Sequence, residues 1–153
     1  MCTDSFKRVT VMHSKLIADD VERCHILIVD DNTTNRFVLK ALLKKHSYNS
    51  IEAKDGKDAV TIIEKYVKAK SVDELMLIFM DLQMPNMNGI QATKEIINLC
   101  TADGITPPPI IGVSSDPSEE DRAKFFNAGI QEFISKPIDR QKISYIIDKY
   151  INK

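Results

Sequence analysis

The sequence predicts an α/β fold with five parallel strands and a helix after each strand, and two observations lead to this prediction. First, three short apolar runs, ILIVDD, LMLIFMD and IIGVSS, end in acidic or hydroxyl residues. Such uninterrupted runs are typical of strands that are buried on both faces of a parallel sheet. Second, helical segments alternate with the strands, which implies right-handed crossovers and a three-layer α/β/α arrangement.

The first half of the pattern contains two strand–helix pairs. They are a strand that begins at His25, a helix over Thr33–Lys45, a weaker strand over Tyr48–Ala53 and a helix over Lys57–Ala69. The dipeptide Asp55-Gly56 predicts a turn within the second pair. Apolar residues recur at every fourth position of the second helix, so we expect that side of it to face the sheet.

The second half of the pattern contains three further pairs. They are strands in LMLIFMD, IIGVSS and EFISKP, followed by helices over Gly89–Cys100, from Asp116, and over Asp139–Tyr150. In the middle helix we expect Asp116 to be the N-cap, Pro117 the first helical residue and Glu119 the partner in a capping box. Gly129 is expected to end that helix.

Composition excludes several classes of protein. The 153 residues suffice for one domain, with the 43% hydrophobic and 28% charged shares of an ordinary globular protein. The net charge of −1 disfavours sequence-independent binding of nucleic acid, which needs a basic excess. The longest uncharged apolar run, Leu75–Met80, is far shorter than the roughly 20 residues that span a bilayer. We therefore expect no direct contact with nucleic acid or membrane.

The amino-terminal segment and the cysteines bear on location. Residues 1–23 show no sustained periodicity and lack the apolar core of a signal peptide. We interpret them as a tail or linker before a domain over residues 24–153. Cys2, Cys24 and Cys100 have no CxxC spacing and are interpreted as reduced thiols, which predicts a cytoplasmic protein.

Charged and hydroxyl side chains follow four of the predicted strands. Asp30 and Asp31 come after the first strand, Asp81 ends the third, Ser114 the fourth and Lys136 the fifth. Because the carboxyl ends of parallel strands form one edge of a sheet, we expect these side chains to converge. Three adjacent carboxylates repel one another unless a cation is present, and Mg²⁺ prefers oxygen ligands of this kind.

These groups suit phosphoryl transfer. An ammonium group beside Mg²⁺ neutralises the oxygens of a transferring phosphoryl group, which is the part expected of Lys136. Carboxylates form aspartyl-phosphate intermediates, so Asp81 is the candidate nucleophile. The Ser114 hydroxyl is a hydrogen-bond donor to a phosphoryl oxygen. Taken singly, each residue has an ordinary alternative, as a helix-capping acid, a solvated lysine or a strand-end serine.

Four motifs resemble those of a known family. They are LIVDDN at Leu27–Asn32, MDLQMPNMNG at Met80–Gly89, IIGVSSD at Ile110–Asp116 and FISKPI at Phe133–Ile138. Over roughly residues 24–152 the chain resembles the receiver domain of two-component response regulators, and most of all the receivers of hybrid histidine kinases. The resemblance implies a (βα)5 flavodoxin-like fold and a phosphorelay function in signal transduction. It also implies a phospho-acceptor and not an enzyme.

The resemblance assigns the acceptor and the metal ligands. Asp81 would accept the phosphoryl group from a phosphohistidine. Mg²⁺ would be held by Asp30, Asp31, Asp81 and the backbone carbonyl of Gln83, with Asp30 acting through a water molecule. Gln83 and Asp116 flank the site, and in the family such positions tune the lifetime of the phospho-aspartate.

The resemblance also assigns a conformational switch. The Ser114 hydroxyl would move toward the phosphoryl group, and the Phe133 ring would turn inward on activation. Lys136 would contact the phosphoryl group, and the bond between Lys136 and Pro137 would be cis.

The helix over Thr33–Lys45 has a wide apolar face. Its apolar arc of roughly 240° is centred on Val38, Ala41 and Leu42 and exceeds what a one-sided surface helix needs. Two interpretations stay open: part of the arc is an exposed partner patch, or the helix is buried more deeply than average. The resemblance implies docking of a histidine-phosphotransfer protein or a histidine-kinase dimerisation domain near this face.

Three other functions match parts of the pattern. A Mg²⁺-dependent phosphohydrolase with an aspartate nucleophile usually carries a second acid two residues later, where this chain has Gln83. A nucleotide or flavin binder would have a glycine-rich phosphate loop after the first strand, where the chain has DDNTTNR. A pseudo-receiver would lack one of the acidic or lysine groups, and all of them are present.

Overall fold

The computed structural model describes residues 25–152 and contains a five-stranded parallel sheet, as predicted. The strands are β1 (His25–Val29), β2 (Asn49–Ala53), β3 (Leu75–Asp81), β4 (Ile110–Ser114) and β5 (Glu132–Ser135). Their order across the sheet is β2-β1-β3-β4-β5, and every neighbouring pair is parallel. The predicted tail or linker, residues 1–23, lies outside the described residues.

A helix follows each strand, as the alternation predicted. The helices are α1 (Thr33–Lys45), α2 (Gly56–Lys68), α3 (Gly89–Ala102), α4 (Glu119–Ala128) and α5 (Arg140–Tyr150), and a short 3-10 helix, Val72–Glu74, precedes β3. This element order confirms the (βα)5 flavodoxin-like fold. No helix within residues 25–152 is long and apolar enough to cross a membrane.

The sheet separates two hydrophobic cores, which explains the uninterrupted apolar runs. Ile78 and Met80 of β3 belong to the core that α2, α3 and α4 cover. Leu77 and Phe79 belong to the core under α1 and α5. Successive side chains of a strand point to opposite faces, so a strand that is covered on both sides needs an apolar residue at every position. The result is the predicted three-layer α/β/α arrangement.

The start of α4 differs from the prediction. Ser118 is the N-cap, and its hydroxyl oxygen accepts a hydrogen bond from the Asp121 N–H at 3.1 Å. The Asp121 carboxylate accepts one from the Ser118 N–H at 3.4 Å, which completes a capping box. The predicted box of Asp116 with Glu119 is wrong because this reciprocal pair already satisfies two backbone donors at the helix start. Pro117 therefore lies before the helix.

Two other helix ends test the sequence signals. Gly129 ends α4 as predicted, with a left-handed φ of 115°. Helix α2 begins one residue earlier than predicted, at Gly56, because Asp55 is its N-cap. The Asp55 carboxylate accepts a hydrogen bond from the Asp58 N–H at 2.7 Å. The predicted turn is thus the capped start of a helix.

The apolar arc of α1 is centred elsewhere than predicted. Leu39 and Leu43 are buried, whereas Val38 is 45% exposed and Phe37 is 71% exposed. Ala41, which was predicted to lie at the centre of the arc, is exposed as well. Helical periodicity gives the width of an apolar face, but the neighbouring elements decide which part of it they cover. The structure favours the interpretation in which part of the arc is exposed.

Gly89 lets α3 begin directly against the end of β3. A Cβ atom at this position would lie 2.6 Å from the Asp81 carbonyl oxygen and 2.8 Å from the Leu82 Cα atom. Both contacts are with backbone, which cannot swing aside as a flexible side chain can. The close approach of helix and strand therefore depends on the missing side chain.

We expect Gly89→Ala to lower the free energy of unfolding by about 2–3 kcal/mol, because the added methyl group collides with backbone. Gly104→Ala is the matched control, since a Cβ atom there meets open space. It pays only for its left-handed φ of 70°, a loss of about 1 kcal/mol. Urea denaturation of both variants measures the difference, and equal losses would contradict the close approach at Gly89.

Candidate functional site

Three carboxylates converge at the carboxyl edge of the sheet, as the strand ends predicted. Asp30 follows β1 directly, and Asp81 is the last residue of β3, the neighbour of β1. These two residues are only 7% and 4% exposed, whereas Asp31 is exposed. Each of the three offers a carboxylate oxygen, and these atoms lie within 4.8 Å of one another. We call these three residues the acidic cluster.

The ammonium group of Lys136 lies between the two buried carboxylates. Its Nζ atom is 3.5 Å from Asp30 Oδ2 and 3.4 Å from Asp81 Oδ1. The backbone of Lys136 is tied to β4, since its N–H donates to the Ser114 carbonyl oxygen at 2.9 Å. The bond from Lys136 to Pro137 is cis, as the resemblance implied. Lys136 thus lies within ion-pair distance of Asp30 and Asp81, as predicted.

The surroundings of Asp81 raise the pKa of its carboxyl group to about 6. Burial is the main cause, because it removes the water that stabilises the charged form, and the charge of Asp30 adds to it. The Lys136 ammonium opposes this rise, as does the Gln83 N–H, which donates to Asp81 Oδ1 at 3.3 Å. Because the pKa stays raised, the protein supplies too little positive charge to compensate the ionised Asp81.

The residues of the acidic cluster fit a hard divalent cation. Three carboxylates and one ammonium group leave a formal charge of −2 when all are ionised. The donor atoms are carboxylate oxygens, the kind of ligand that Mg²⁺ prefers. Asp31 is exposed, so a cation can reach the cluster from solvent. The role of the Gln83 carbonyl as a further ligand stays a prediction.

Sequence reasoning missed the residues that orient Asp30. Its Oδ1 atom accepts hydrogen bonds from the Asn32 N–H at 2.8 Å and from the Asn35 side-chain amide at 3.5 Å. Arg36 donates to the Asp30 carbonyl oxygen at 2.7 Å and to Glu52 Oε1 at 3.1 Å. These bonds fix the loop after β1 against α1 and β2. The available signal was the amide and guanidinium pair Asn35-Arg36 at the start of the helix that follows the acidic residues.

The predicted switch residues Ser114 and Phe133 lie on neighbouring strands. Ser114 is 4% exposed and follows Val113, which pairs with Asp81 in the sheet. Phe133 is half-buried and pairs with Gly112 of β4. A Cβ atom at Gly112 would lie 3.0 Å from the Phe133 ring, so the ring packs directly on the β4 backbone. The roles of both residues in a switch stay predictions.

Side chains of helix α4 pack against the Phe133 ring. The ring centroid of Phe125 lies 5.2 Å from that of Phe133, and the Phe126 ring packs on it edge-on at 4.9 Å. The Arg122 guanidinium lies 5.7 Å from the ring centroid, within cation–π range. Sequence reasoning missed Gly112 and these α4 residues because their contacts depend on how α4 packs against β5.

A groove of about 450 Å³ lies beside the acidic cluster, and we call it the α1 groove. Its lining includes Asn35, Val38 and Leu39 from α1 and Lys136, Pro137 and Ile138 from the loop after β5. Asp30 and Lys136 contribute charged groups to an otherwise mainly apolar lining. The exposed side of α1 is therefore continuous with the site.

We expect Asp81→Asn to raise the free energy of unfolding of the metal-free protein by about 1–2 kcal/mol at neutral pH, because it removes a poorly compensated buried charge. Below about pH 6 the folded protein takes up this proton before the unfolded chain does. The advantage of the variant should therefore shrink towards about pH 4. Urea denaturation with a chelator present measures it at both pH values.

The control for this experiment is Asp31→Asn, which removes an exposed carboxylate from the same edge of the sheet. We expect it to change the stability less than Asp81→Asn does. Equal gains in the two variants, or a gain that grows as the pH falls, would contradict burial as the cause of the raised pKa.

Solved receiver structures are similar to this chain. The receiver domain of the histidine kinase CKI1 from Arabidopsis thaliana, complexed with Mg²⁺ and BeF3⁻, is 33% identical with a TM-score of 0.75, covering 85% of this chain and 91% of that chain. A second match is the co-crystal structure of the Saccharomyces cerevisiae histidine phosphotransfer signaling protein Ypd1 with the receiver domain of its downstream response regulator Ssk1. The matched chain of that structure is 30% identical to this chain with a TM-score of 0.73, and the match covers 83% of this chain and 88% of that chain.

The same relationship holds at the level of sequence. The hybrid signal transduction histidine kinase I of Dictyostelium discoideum is 33% identical over 129 residues, which are 84% of this chain but only 7% of that kinase. The family model of the response regulator receiver domain matches residues 26–148, which is most of the chain. With this match and the Asp30, Asp81 and Lys136 geometry, the chain belongs to the response regulator receiver domain family.

Proposed function

We propose that this domain accepts a phosphoryl group from a phosphohistidine onto Asp81, in a reaction that depends on Mg²⁺, and thereby switches its interactions with partners. The observation that carries the proposal is the position of the Asp81 carboxylate, buried at the end of the central strand. It lies beside a second carboxylate and 3.4 Å from the Lys136 ammonium. A carboxylate with so little compensating charge favours the binding of a cation, and that cation would also offset the negative charge that a phosphoryl group adds.

The reaction is a displacement at phosphorus. An Asp81 oxygen forms a bond to phosphorus while the bond between phosphorus and the donor imidazole nitrogen breaks, and the imidazole keeps that electron pair and takes up a proton. Lys136 is close enough to Asp81 to contact the incoming phosphoryl oxygens. Asp30, Asp31, Asp81 and the Gln83 carbonyl would hold Mg²⁺, with Asp30 acting through water. Mg²⁺ when bound neutralises charge on the phosphoryl oxygens.

We further propose that the phosphoryl group acts on a switch formed by Ser114, Phe133 and Pro137. The buried Ser114 hydroxyl, one residue beyond the partner of Asp81, would donate to a phosphoryl oxygen. Phe133 would follow, because its ring packs on the β4 backbone at Gly112, two residues before Ser114. Pro137 lines the α1 groove, so a change at the site reaches a surface that a partner can contact.

We assign the α1 groove and the neighbouring apolar side of α1 to the phosphodonor, a histidine-phosphotransfer protein or the dimerisation domain of a histidine kinase. Phe37 and Val38 are exposed apolar side chains of the kind that bind partners. The groove contains Asp30 and Lys136, so a helix that covers α1 would hold its histidine near Asp81. A similar receiver domain was crystallised with a histidine phosphotransfer protein, which supports this class of partner.

For the whole protein we propose one of two arrangements, a stand-alone regulator or a hybrid histidine kinase of which this chain is the receiver, with residues 1–23 as tail or linker. The similarity to a hybrid kinase far longer than this chain supports the second, and the similarity to a short response regulator of Oryza sativa, 92% of which is matched, supports the first. We place the reaction in the cytoplasm, where histidine kinases obtain their phosphoryl group from ATP. Neither nucleic acid nor membrane is expected to contact the domain directly.

We expect the wild-type protein to gain the mass of one phosphoryl group on incubation with acetyl phosphate, and only with Mg²⁺ present. Asp81→Asn should gain none, because the amide cannot attack phosphorus. Intact-mass spectrometry measures both. Retained labelling of Asp81→Asn would overturn the assignment of the acceptor, and release of many phosphates per protein from a small phosphomonoester would indicate a phosphohydrolase instead.

We expect Phe37→Ala to slow phosphoryl transfer from phosphorylated Ypd1 by about tenfold, because it removes an exposed apolar contact that a partner would bury. Labelling by acetyl phosphate, which needs no docking surface, should not change. The matched control is Phe126→Ala, which removes an aromatic ring that is 50% exposed on α4. Equal slowing by both variants, or slower labelling of Phe37→Ala by acetyl phosphate, would contradict docking on α1.

A further inference from the structure

The side chain of Lys142 in the first turn of α5 holds the loop that follows β5. Its Nζ atom donates to the Ser135 carbonyl oxygen at 2.8 Å, to the Pro137 carbonyl oxygen at 2.8 Å and to Ser135 Oγ at 3.1 Å. An ammonium group has three N–H donors, so all of them are directed at the two residues on either side of Lys136. The two carbonyl acceptors flank Lys136 on either side.

Lys136 is therefore fixed from two directions. On the side of the sheet, its N–H donates to the Ser114 carbonyl oxygen at 2.9 Å. On the side of α5, Lys142 donates to the carbonyl oxygens of the two residues next to Lys136, Ser135 and Pro137. A lysine side chain has four rotatable bonds, so the position of its ammonium group depends strongly on a fixed backbone. From this backbone the Lys136 Nζ atom reaches to 3.4 Å from Asp81 Oδ1.

We infer that Lys142 is a positioning residue for phosphoryl transfer, which acts by fixing the backbone on either side of Lys136. The inference rests on the proposed function, because it assigns Lys142 to the reaction through Lys136. The acceptors in these three bonds are uncharged carbonyl and hydroxyl groups. Lys142 therefore does not neutralise a carboxylate of the acidic cluster through them. Without it the two carbonyl groups would bind water, and Lys136 would spend less of its time facing the phosphoryl oxygens.

Lys149 of the same helix provides a matched control. Its Nζ atom lies 3.0 Å from Glu132 Oε1 and 3.2 Å from the Tyr145 hydroxyl. It ties α5 to the first residue of β5, whereas Lys142 binds the last residue of β5 and the loop beyond. Lys149→Met thus removes an α5–β5 contact of similar chemistry without touching the residues around Lys136.

The test measures binding of two probes by calorimetry: Mg²⁺ alone, and beryllofluoride, an analogue of the phosphoryl group, at saturating Mg²⁺. We expect Lys142→Met to weaken beryllofluoride binding about fivefold or more, because Lys136 faces this probe. Mg²⁺ binding should change by less than about twofold, because the carboxylates hold the cation. Lys149→Met should leave both affinities unchanged. Equal weakening of both probes by Lys142→Met would indicate a merely structural role and overturn the inference.

A double-mutant cycle with Lys136→Met tests whether Lys142 acts through Lys136. In the Lys136→Met background, Lys142→Met should have no further effect on beryllofluoride binding. The same weakening in both backgrounds would overturn the inference. If Lys142→Met binds beryllofluoride as tightly as the wild-type protein does, the inference is overturned and the proposed function is not. Wild-type protein that binds no beryllofluoride at all would overturn the proposed function and the inference with it.

Discussion

The repulsion between the buried carboxylates of Asp30 and Asp81 is the constraint on which the rest of the site depends. Two carboxylates held together in a poorly solvated place need positive charge, and Lys136 supplies only part of it. The fold keeps them together because Asp30 follows β1 and Asp81 ends β3, two adjacent strands whose apolar side chains are buried on both faces. Stability of the cores thus maintains an arrangement that is locally unfavourable and receptive to a cation.

Positioning and charge compensation are carried by different basic residues. Of the basic residues Lys136, Arg36 and Lys142, Lys136 is the one that approaches the carboxylates of the acidic cluster. Arg36 and Lys142 instead donate to backbone carbonyl oxygens of the loops after β1 and β5. Because a carbonyl has no net charge, these two cations fix the loops and leave the acidic cluster available to a metal ion. The loops can therefore be rigid while the site keeps its negative charge.

Helix α1 connects the core, the site and an exposed apolar surface. Leu39 and Leu43 are buried in the core, while Phe37 and Val38 on the same helix are exposed. The helix begins directly after the loop that carries Asp30, and Arg36 ties the two together. A partner seated on α1 would therefore lie next to the acidic cluster, as the proposed transfer from a phosphohistidine protein requires.

The sequence by itself determined the order of strands and helices, the carboxyl edge of the sheet and the convergence of Asp30, Asp81 and Lys136. These follow from local apolar runs and from the geometry that all parallel α/β sheets share. Only the tertiary structure decided the exposure of Phe37 and the three hydrogen bonds of Lys142. It also decided the contact of Phe133 with the β4 backbone. Each of these depends on which competing surface or hydrogen-bond donor lies nearest after packing, and a pattern along the chain does not contain that distance.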